Sequence, residues 1–139
     1  MFDIIIVTAE KTLFEASVKM AVVPTVTGGV GILTNHHPMT AQLDIGPLRL
    51  TKEDDSEVTL FIAGGFLEMN NNKLTILADT AENLEEIELD KAIEARQKAE
   101  TLVKTAPNEA EVERLLEEVK MHSMREKLAN IHRYSKNQN

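Results

Sequence analysis

Polar and apolar residues follow two different periods along the chain, and the change falls near Asp79. Before Asp79, apolar residues alternate with polar ones and Gly or Pro interrupts the pattern repeatedly. After it, apolar residues recur every three to four positions, with no Gly and with Pro107 as the one Pro. Alternation is typical of half-buried strands, and the longer spacing is typical of amphipathic helices. The sequence therefore predicts an α+β chain, with a β-sandwich domain over residues 1–84 and an antiparallel two-helix hairpin domain over residues 85–139.

Several short strands are predicted between turn signals in the first domain. The predicted strands cover residues 2–7, 19–26, 43–51, 57–63 and 73–78, and a further apolar run at 66–69 is predicted to pair with the last of them. Gly46-Pro47 predicts a turn or bulge inside the third of them, and Gly64-Gly65 ends the fourth. The three-Asn run at 70–72 predicts a hairpin turn, because Asn tolerates a positive φ angle. Strands this short and this regularly spaced favour a sandwich or a flattened barrel.

Two helices joined by a short loop are predicted in the second domain. The first begins near Glu85 and has a broad, Ala-rich apolar face. The second runs from Glu109 to about Tyr134, with Asn108 as a favourable N-cap and Glu111 in the position of a capping box. Because the connection is so short, the two helices are expected to pack antiparallel.

The second helix carries two apolar groups that do not share one face. The first group is Val112, Leu115, Leu116 and Val119, and the second is Met121, Met124, Leu128 and Ile131. At about 100° per residue, the second group points about 150° away from the first. An ordinary apolar stripe drifts by only about 20° per heptad. The helix therefore either breaks near residues 120–123 or carries two faces for two partners, unless the offset is fortuitous.

The composition narrows the possible functions. The chain has 139 residues, a formal charge of −8 and no Cys, which excludes disulfides and thiolate metal sites. Residues 1–84 hold 5 basic and 11 acidic residues, which argues against binding nucleic acid or anionic lipid through this domain. No run of about 18 apolar residues occurs, so no direct membrane insertion is expected. The first residues also lack the pattern of a signal peptide or a transit peptide.

Motifs that would indicate catalysis are weak in this sequence. The Gly-rich stretch at 28–31 lacks the Lys and Ser/Thr of a phosphate-binding loop and predicts a tight turn. His36 and His37 would point to opposite faces of an extended strand, which favours a loop or interface role over a shared metal ion. The basic stretch from Lys120 to Lys136 contains Glu126 as its one acid. It either complements the helix dipole or docks on an acidic protein surface or a nucleotide.

Four longer motifs, in this order and followed by two helices, resemble the epsilon subunit of the F-type ATP synthase. They are residues 31–38 (GILTNHHP), 43–50 (LDIGPLRL), 64–68 (GGFLE) and 73–82 (KLTILADTAE). The resemblance implies a sandwich of about ten strands and a helical hairpin. It also implies a non-catalytic rotor subunit of the central stalk, which couples ion flow through the membrane ring to ATP synthesis. Such a subunit lies at the cytoplasmic face of the bacterial membrane, or on the stromal side of the thylakoid in chloroplasts.

The resemblance also implies partners and contact residues. The expected partners are the gamma subunit and the c-ring, with the alpha and beta subunits in an extended state that inhibits ATP hydrolysis. Gly29, His36 and Pro38 match positions that contact the c-ring or gamma, although many relatives have Glu where this chain has Gly29. The residues expected to contact neighbours in the extended state are Met121, Met124, Arg125, Leu128, Ile131 and Arg133.

Some bacterial relatives bind ATP at the hairpin through the motif Ile/Leu-Asp-x-x-Arg-Ala. This chain has a degenerate version at residues 87–92 (IELDKA), and the matching positions with nearby basic residues are Glu88, Lys91, Ala92, Lys98 and Arg125. Lys lacks the bidentate fork of Arg, so weak ATP binding or none is expected. Beyond that possible ATP, no cofactor and no metal is implied. An ATP sensor and a protein adaptor remain the alternative functions.

Overall fold

A computed structural model, which describes the backbone of residues 1–137, forms eight strands followed by two α-helices. The strands are β1 (Phe2–Val7), β2 (Thr12–Val18), β3 (Met20–Thr25), β4 (Gly28–Leu33), β5 (Met39–Gln42), β6 (Ile45–Thr51), β7 (Glu57–Asn70) and β8 (Lys73–Asn83). A 3₁₀ turn, Leu84–Glu86, precedes α1 (Leu89–Val103) and α2 (Glu109–Asn137). The strands belong to one compact unit, Met1–Asn83, and the helices belong to a second that begins at Leu84.

The strands form a sandwich because β7 and β8 are long enough to serve both layers. The strand order is β2-β1-β8-β7-β6-β3-β4, with β5 pairing separately with β7. Residues 66–69 of β7 pair with β5, whereas residues 57–63 pair with β6. The first part of β8 likewise runs parallel to β1, and its second part pairs with β7 alone. Counting each half of β7 and β8 separately gives the ten strands that the resemblance implied, against eight continuous strands in the structure.

Two consecutive glycines allow β7 to turn from one layer into the other. Gly64 has φ = 74° and Gly65 has φ = 111°, both in the region that side chains disfavour. A Cβ atom at Gly65 would collide with the backbone carbonyl of Leu77, and one at Gly64 would lie 2.5 Å from Oδ2 of Asp79. The glycine pair therefore bends β7 without ending it, in contrast to the predicted strand end at this position.

The space between the layers is filled by aliphatic side chains, as the low aromatic content requires. Alternating residues of each strand point inward, for example Phe2, Ile4 and Ile6 of β1, all at most 2% exposed. The inward residues of the other strands complete one continuous cluster that includes Leu48, Leu60 and Ile76. Burying this much apolar surface supplies the main driving force for folding of the first unit.

Two local interpretations of the sequence are wrong. The Gly-rich stretch at 28–31 is not the turn but most of edge strand β4, and the turn lies at residues 26–27. Pro47 is not in a turn or bulge but pairs with Phe61 in mid-strand. β3 pairs with β6 at residues 49–51 only, so the missing N–H of Pro47 faces no neighbouring strand on that side. Strands β2, β4 and β5 were not predicted.

The start of α2 follows the predicted capping pattern in part. The backbone N–H of Glu111 donates to Oδ1 of Asn108 at 2.9 Å, which confirms Asn108 as the N-cap. The Glu111 carboxylate does not complete a capping box but accepts hydrogen bonds from the Arg114 guanidinium, at 3.1 and 2.9 Å. These bonds hold the pKa of Glu111 below its ordinary value.

Helix α2 is continuous for 29 residues, so the predicted break near residues 120–123 is wrong. The apolar residues of both groups therefore lie on one continuous helix, and the interpretations with two faces for two partners or with a fortuitous offset remain. None of the helices within residues 1–137 is both long and apolar enough to cross a lipid bilayer.

Replacing Gly65 by Ala should destabilise the sandwich, and the change Gly31→Ala supplies a matched control. The combined cost of strained φ and overpacking at Gly65 is about 2–6 kcal/mol. Gly31 lies in edge strand β4, where an added Cβ atom would meet no heavy atom within 4 Å, so its change should stay within about 0.5 kcal/mol. Denaturant unfolding gives the free energy of unfolding of both variants. Equal stability of the two variants would contradict the role assigned to the bend.

Candidate protein-interaction sites

The loop between β4 and β5 presents the two neighbouring histidines at one end of the sandwich. It begins with a tight turn in which the His36 N–H donates to the Leu33 carbonyl at 3.1 Å, and Asn35 adopts φ = 62°. The His36 and His37 rings do not point to opposite faces but stack, with centroids 4.4 Å apart and an angle of 17° between the planes. The sequence argument for opposite faces assumed an extended strand, and the chain has already left the strand here. The pair forms part of a defined loop surface.

The structure separates the three residues that the resemblance placed in one contact region. Gly29 lies near the start of β4, and His36 follows the other end of that strand. The four residue steps from Gly29 to Leu33 alone span about 13 Å in an extended strand. Pro38 lies on the His36 side, where it lines a cavity of about 330 Å³ together with Glu68 and Asn70. His36 and Pro38 thus share one end of the sandwich, and Gly29 does not.

A second candidate surface lies on the outer face of the sandwich, directly after the bend in β7. Phe66 and Leu77 are cross-strand neighbours on β7 and β8, and they are 60% and 51% exposed. They border a cavity of about 440 Å³ whose wall also includes Val7 and Asp79. An exposed aromatic residue beside an exposed aliphatic one over a concave surface makes this region a candidate protein-docking site.

The helical hairpin contains an ion pair between its two helices. Nε of Arg96 on α1 donates to Oε2 of Glu126 on α2 at 2.6 Å, and Nη1 of Arg96 donates to Oε1 of Glu100 at 2.9 Å. The Arg96 and Glu126 side chains are only 24% and 27% exposed. The hydrogen bonds to Glu126 and then Glu100 raise the pKa of Arg96 above its ordinary value. This contact connects two points that lie 30 residues apart in the sequence.

The five residues predicted for ATP binding are spread over both helices of the hairpin. Glu88 is the N-cap residue of α1 and pairs with Lys91 at 3.0 Å, and Ala92 is fully buried. Lys98 lies two helical turns further along, about 10 Å from Lys91 along the axis. Arg125 lies on α2, where its Nη1 donates to Nδ1 of His122 at 3.1 Å. The geometry therefore splits the predicted set between two levels of the hairpin.

Glu88 instead lines a cavity that sequence reasoning did not find. The cavity measures about 420 Å³ and lies between the start of α1 and the end of α2. Its charged or titratable lining residues are Glu85, Glu88, His132 and Arg133. The mixture of carboxylates with one Arg and one His makes the cavity less cationic than a triphosphate requires.

The residues predicted for inhibitory contacts differ in accessibility. Met121, Met124 and Arg125 are half-buried, and Leu128 is 7% exposed. Ile131 is 53% exposed, and Arg133 is exposed beside the cavity just described. The side chain of Lys136, the last basic residue of the stretch, lies outside the described residues. In the folded hairpin only Ile131 and Arg133 of this set are exposed.

The pair Arg96–Glu126 was missed although the sequence contained a signal for it. Arg96 lies on the Ala-rich face of α1, between the buried Ala92 and Ala99. A cation on a helix face that packs against another helix needs an acid from that helix. Glu126 is the one acid in the basic stretch of α2.

Within residues 1–137, no group of three or more potential metal ligands occurs.

Comparisons with known proteins identify similar chains. The sequence model described as "ATP synthase, Delta/Epsilon chain, beta-sandwich domain" matches residues 1–84. An ATP synthase epsilon chain of Dichelobacter nodosus is 39% identical over 120 residues, which cover 86% of this chain and 84% of that protein. An ATP synthase epsilon chain of Symbiobacterium thermophilum is 45% identical over 96 residues, covering 68% of each chain.

Solved structures with a similar fold come from mitochondrial ATP synthases. A chain in the cryo-EM structure of the Euglena gracilis enzyme matches with a TM-score of 0.75 at 24% identity, covering 87% of this chain and 76% of that one. A chain in the central stalk and c-ring structure from Tetrahymena thermophila matches with a TM-score of 0.53 at 15% identity, covering 64% and 71%. At these identities the likeness shows the fold alone.

The pair Arg96–Glu126 should couple the two helices, and a double-mutant cycle with Arg96→Ala and Glu126→Ala measures this coupling. A parallel cycle on Arg114 and Glu118, an ion pair within α2, is the control, because these side chains are 54% and 40% exposed. Water screens exposed pairs strongly, so the coupling energy should be larger for Arg96–Glu126. Denaturant unfolding followed by circular dichroism gives both values. A coupling no larger than the control would mean that the interhelical pair is incidental.

Proposed function

Because the chain belongs to the ATP synthase delta/epsilon family, we propose that it acts as a non-catalytic rotor subunit in the central stalk of an F-type ATP synthase. It binds the gamma subunit and the c-ring and couples ion translocation to ATP synthesis at the catalytic sites of other subunits. In a bacterial cell it lies peripherally at the cytoplasmic face of the membrane, and in a chloroplast on the stromal side of the thylakoid. A chain that works by binding its neighbours needs exposed docking surfaces rather than a reaction pocket.

The exposed pair of Phe66 and Leu77 carries the proposal that gamma binds the sandwich. These side chains together form an apolar surface on strands that the core holds rigidly, which lowers the entropic cost of docking. The His36 and Pro38 end is the proposed contact with the c-ring. Gly29 lies apart from these two residues, so any contact that it makes belongs to a different surface of the sandwich. Glu68 lines the cavity beside Pro38, so the His36 side of the sandwich presents a carboxylate. Gly29 has no side chain that could provide one.

The hairpin is the proposed inhibitory element. In the folded hairpin few large apolar side chains are buried, and α1 buries only Ala92 and Ala99. A unit held by small apolar contacts and ion pairs has a low free energy of opening, so an extended state can compete with the folded one. The second apolar group on α2 would then contact alpha, beta or gamma. Binding of the extended hairpin to these subunits inhibits ATP hydrolysis by the assembled synthase.

ATP is proposed to bind weakly to this chain or not at all. The residues of the degenerate motif lie at two levels of the hairpin, and Lys91 is already engaged with Glu88. A function as an ATP sensor therefore has less structural support than the rotor function. A free-standing adaptor would use the same surfaces, and binding to synthase subunits distinguishes the two.

Replacing Phe66 by Asp should weaken binding to gamma at least tenfold, because a charge would be desolvated at the centre of the docking surface. Leu33→Asp is the matched control, since Leu33 is 58% exposed and lies on edge strand β4 of the same unit. Titration of labelled chain with purified gamma gives the two dissociation constants. Equal affinities for the two variants would place the gamma contact elsewhere.

Truncation after Lys120 should raise the ATPase activity of the assembled synthase, because it removes the second apolar group of α2. A single change, Ile131→Asp, should raise the activity as well without disturbing a buried position. Leu116→Asp is its control, since Leu116 is 51% exposed but belongs to the first apolar group. Unchanged activity after truncation would contradict inhibition by the hairpin. Equal effects of the two Asp variants would contradict the role of the second group.

A further inference from the structure

The hairpin turn between β7 and β8 contains an asparagine where a glycine would be expected. Asn70 and Lys73 pair across the turn, so Asn71 and Asn72 form a two-residue loop. Their φ angles are 49° and 58°. Positive φ at both positions is the geometry of a type I′ turn, in which the second position strongly favours glycine. Asn72 therefore adopts a backbone conformation that glycine would adopt at lower cost.

The side chain of Asn72 makes contacts that glycine could not make. Its Oδ1 accepts a hydrogen bond from the Asn35 N–H at 2.8 Å, and its Nδ2 donates to the Met1 carbonyl at 2.9 Å. One partner is a donor and the other an acceptor, so the orientation of the amide is unambiguous. The Asn72 backbone carbonyl also accepts a hydrogen bond from the Asp3 N–H at 3.2 Å.

These three bonds connect Asn72 to its surroundings, and one of them reaches the loop that carries the stacked histidines. Asn35 occupies the left-handed position of the tight turn that begins this loop, and His36 follows it directly. Asn35 and His37 are exposed and His36 is half-buried, so hydrogen bonds contribute to holding the start of this loop. Besides the Asn35–Asn72 bond, the Met1 amino group donates to Oγ1 of Thr34 at 2.8 Å.

We infer that Asn72 is a positioning residue for the loop at His36–Pro38, and that its side chain holds this loop in the conformation that binds the partner. The inference rests on the proposed function, which assigns the partner as the c-ring. It explains why an asparagine occupies a position of the turn that favours glycine. It also makes the geometry of the histidine loop depend on a residue far along the chain, in the turn between β7 and β8.

The variant Asn72→Gly tests the inference because it separates turn stability from loop positioning. Glycine tolerates the positive φ and keeps the hairpin turn, so the variant should stay folded while it loses the two hydrogen bonds of the Asn72 side chain. Loss of the Asn72 acceptor should speed hydrogen exchange of the Asn35 amide about tenfold. Affinity for a synthase preparation that contains the c-ring but lacks this chain should fall by a similar factor.

Asn71→Gly is the matched control. It relieves the same kind of strain one residue earlier in the same turn and leaves the Asn72 side chain in place. Its Asn35 exchange rate and its affinity should match those of the parent chain. Equal Asn35 exchange rates in the two glycine variants would overturn the inference.

The variant His36→Ala distinguishes failure of the inference from failure of the proposed function. If His36→Ala weakens binding and Asn72→Gly does not, the positioning role of Asn72 is wrong although the ring contact stands. If His36→Ala binds like the parent chain, the proposed ring contact at this loop is wrong. In that case the inference is tested by hydrogen exchange alone: faster exchange of the Asn35 amide in Asn72→Gly than in Asn71→Gly shows that Asn72 holds the loop.

Discussion

The bend of β7 at Gly64 and Gly65 is the constraint on which the first unit depends. The strand has to leave one layer and enter the other while its neighbour β8 follows it through the same turn. A side chain at Gly65 would collide with the Leu77 carbonyl of that neighbour. Only the absence of a Cβ atom lets the two long strands close the sandwich over one aliphatic core.

The same bend determines where the candidate docking surfaces lie. Phe66 follows the bend directly, and its cross-strand neighbour Leu77 lies opposite on β8. The apolar pair therefore lies on the outer face of the sandwich. The far end of the same hairpin presents Asn72 to the histidine loop. A single β-hairpin therefore supports both the proposed gamma contact and the proposed ring contact, with a rigid core behind them.

The two units are stabilised in different ways, which fits their proposed roles. The sandwich buries a continuous cluster of large aliphatic side chains, whereas α1 buries only alanines and the hairpin relies in part on the pair Arg96–Glu126. Ionic contacts contribute less than apolar burial when water can replace them. This difference supports the proposal that the hairpin opens while the sandwich keeps its proposed binding surfaces in place.

Local periodicity in the sequence determined the order of a β unit and a helical unit, the hairpin at the Asn run and the N-cap at Asn108, because each depends on neighbouring residues alone. Only the tertiary structure decided that β7 continues through its glycines, that residues 28–31 form an edge strand, and which residues meet across the chain. The contacts Asn35–Asn72 and Arg96–Glu126 join positions at least 30 residues apart. Such contacts depend on the path of the whole backbone, which no short stretch of residues specifies.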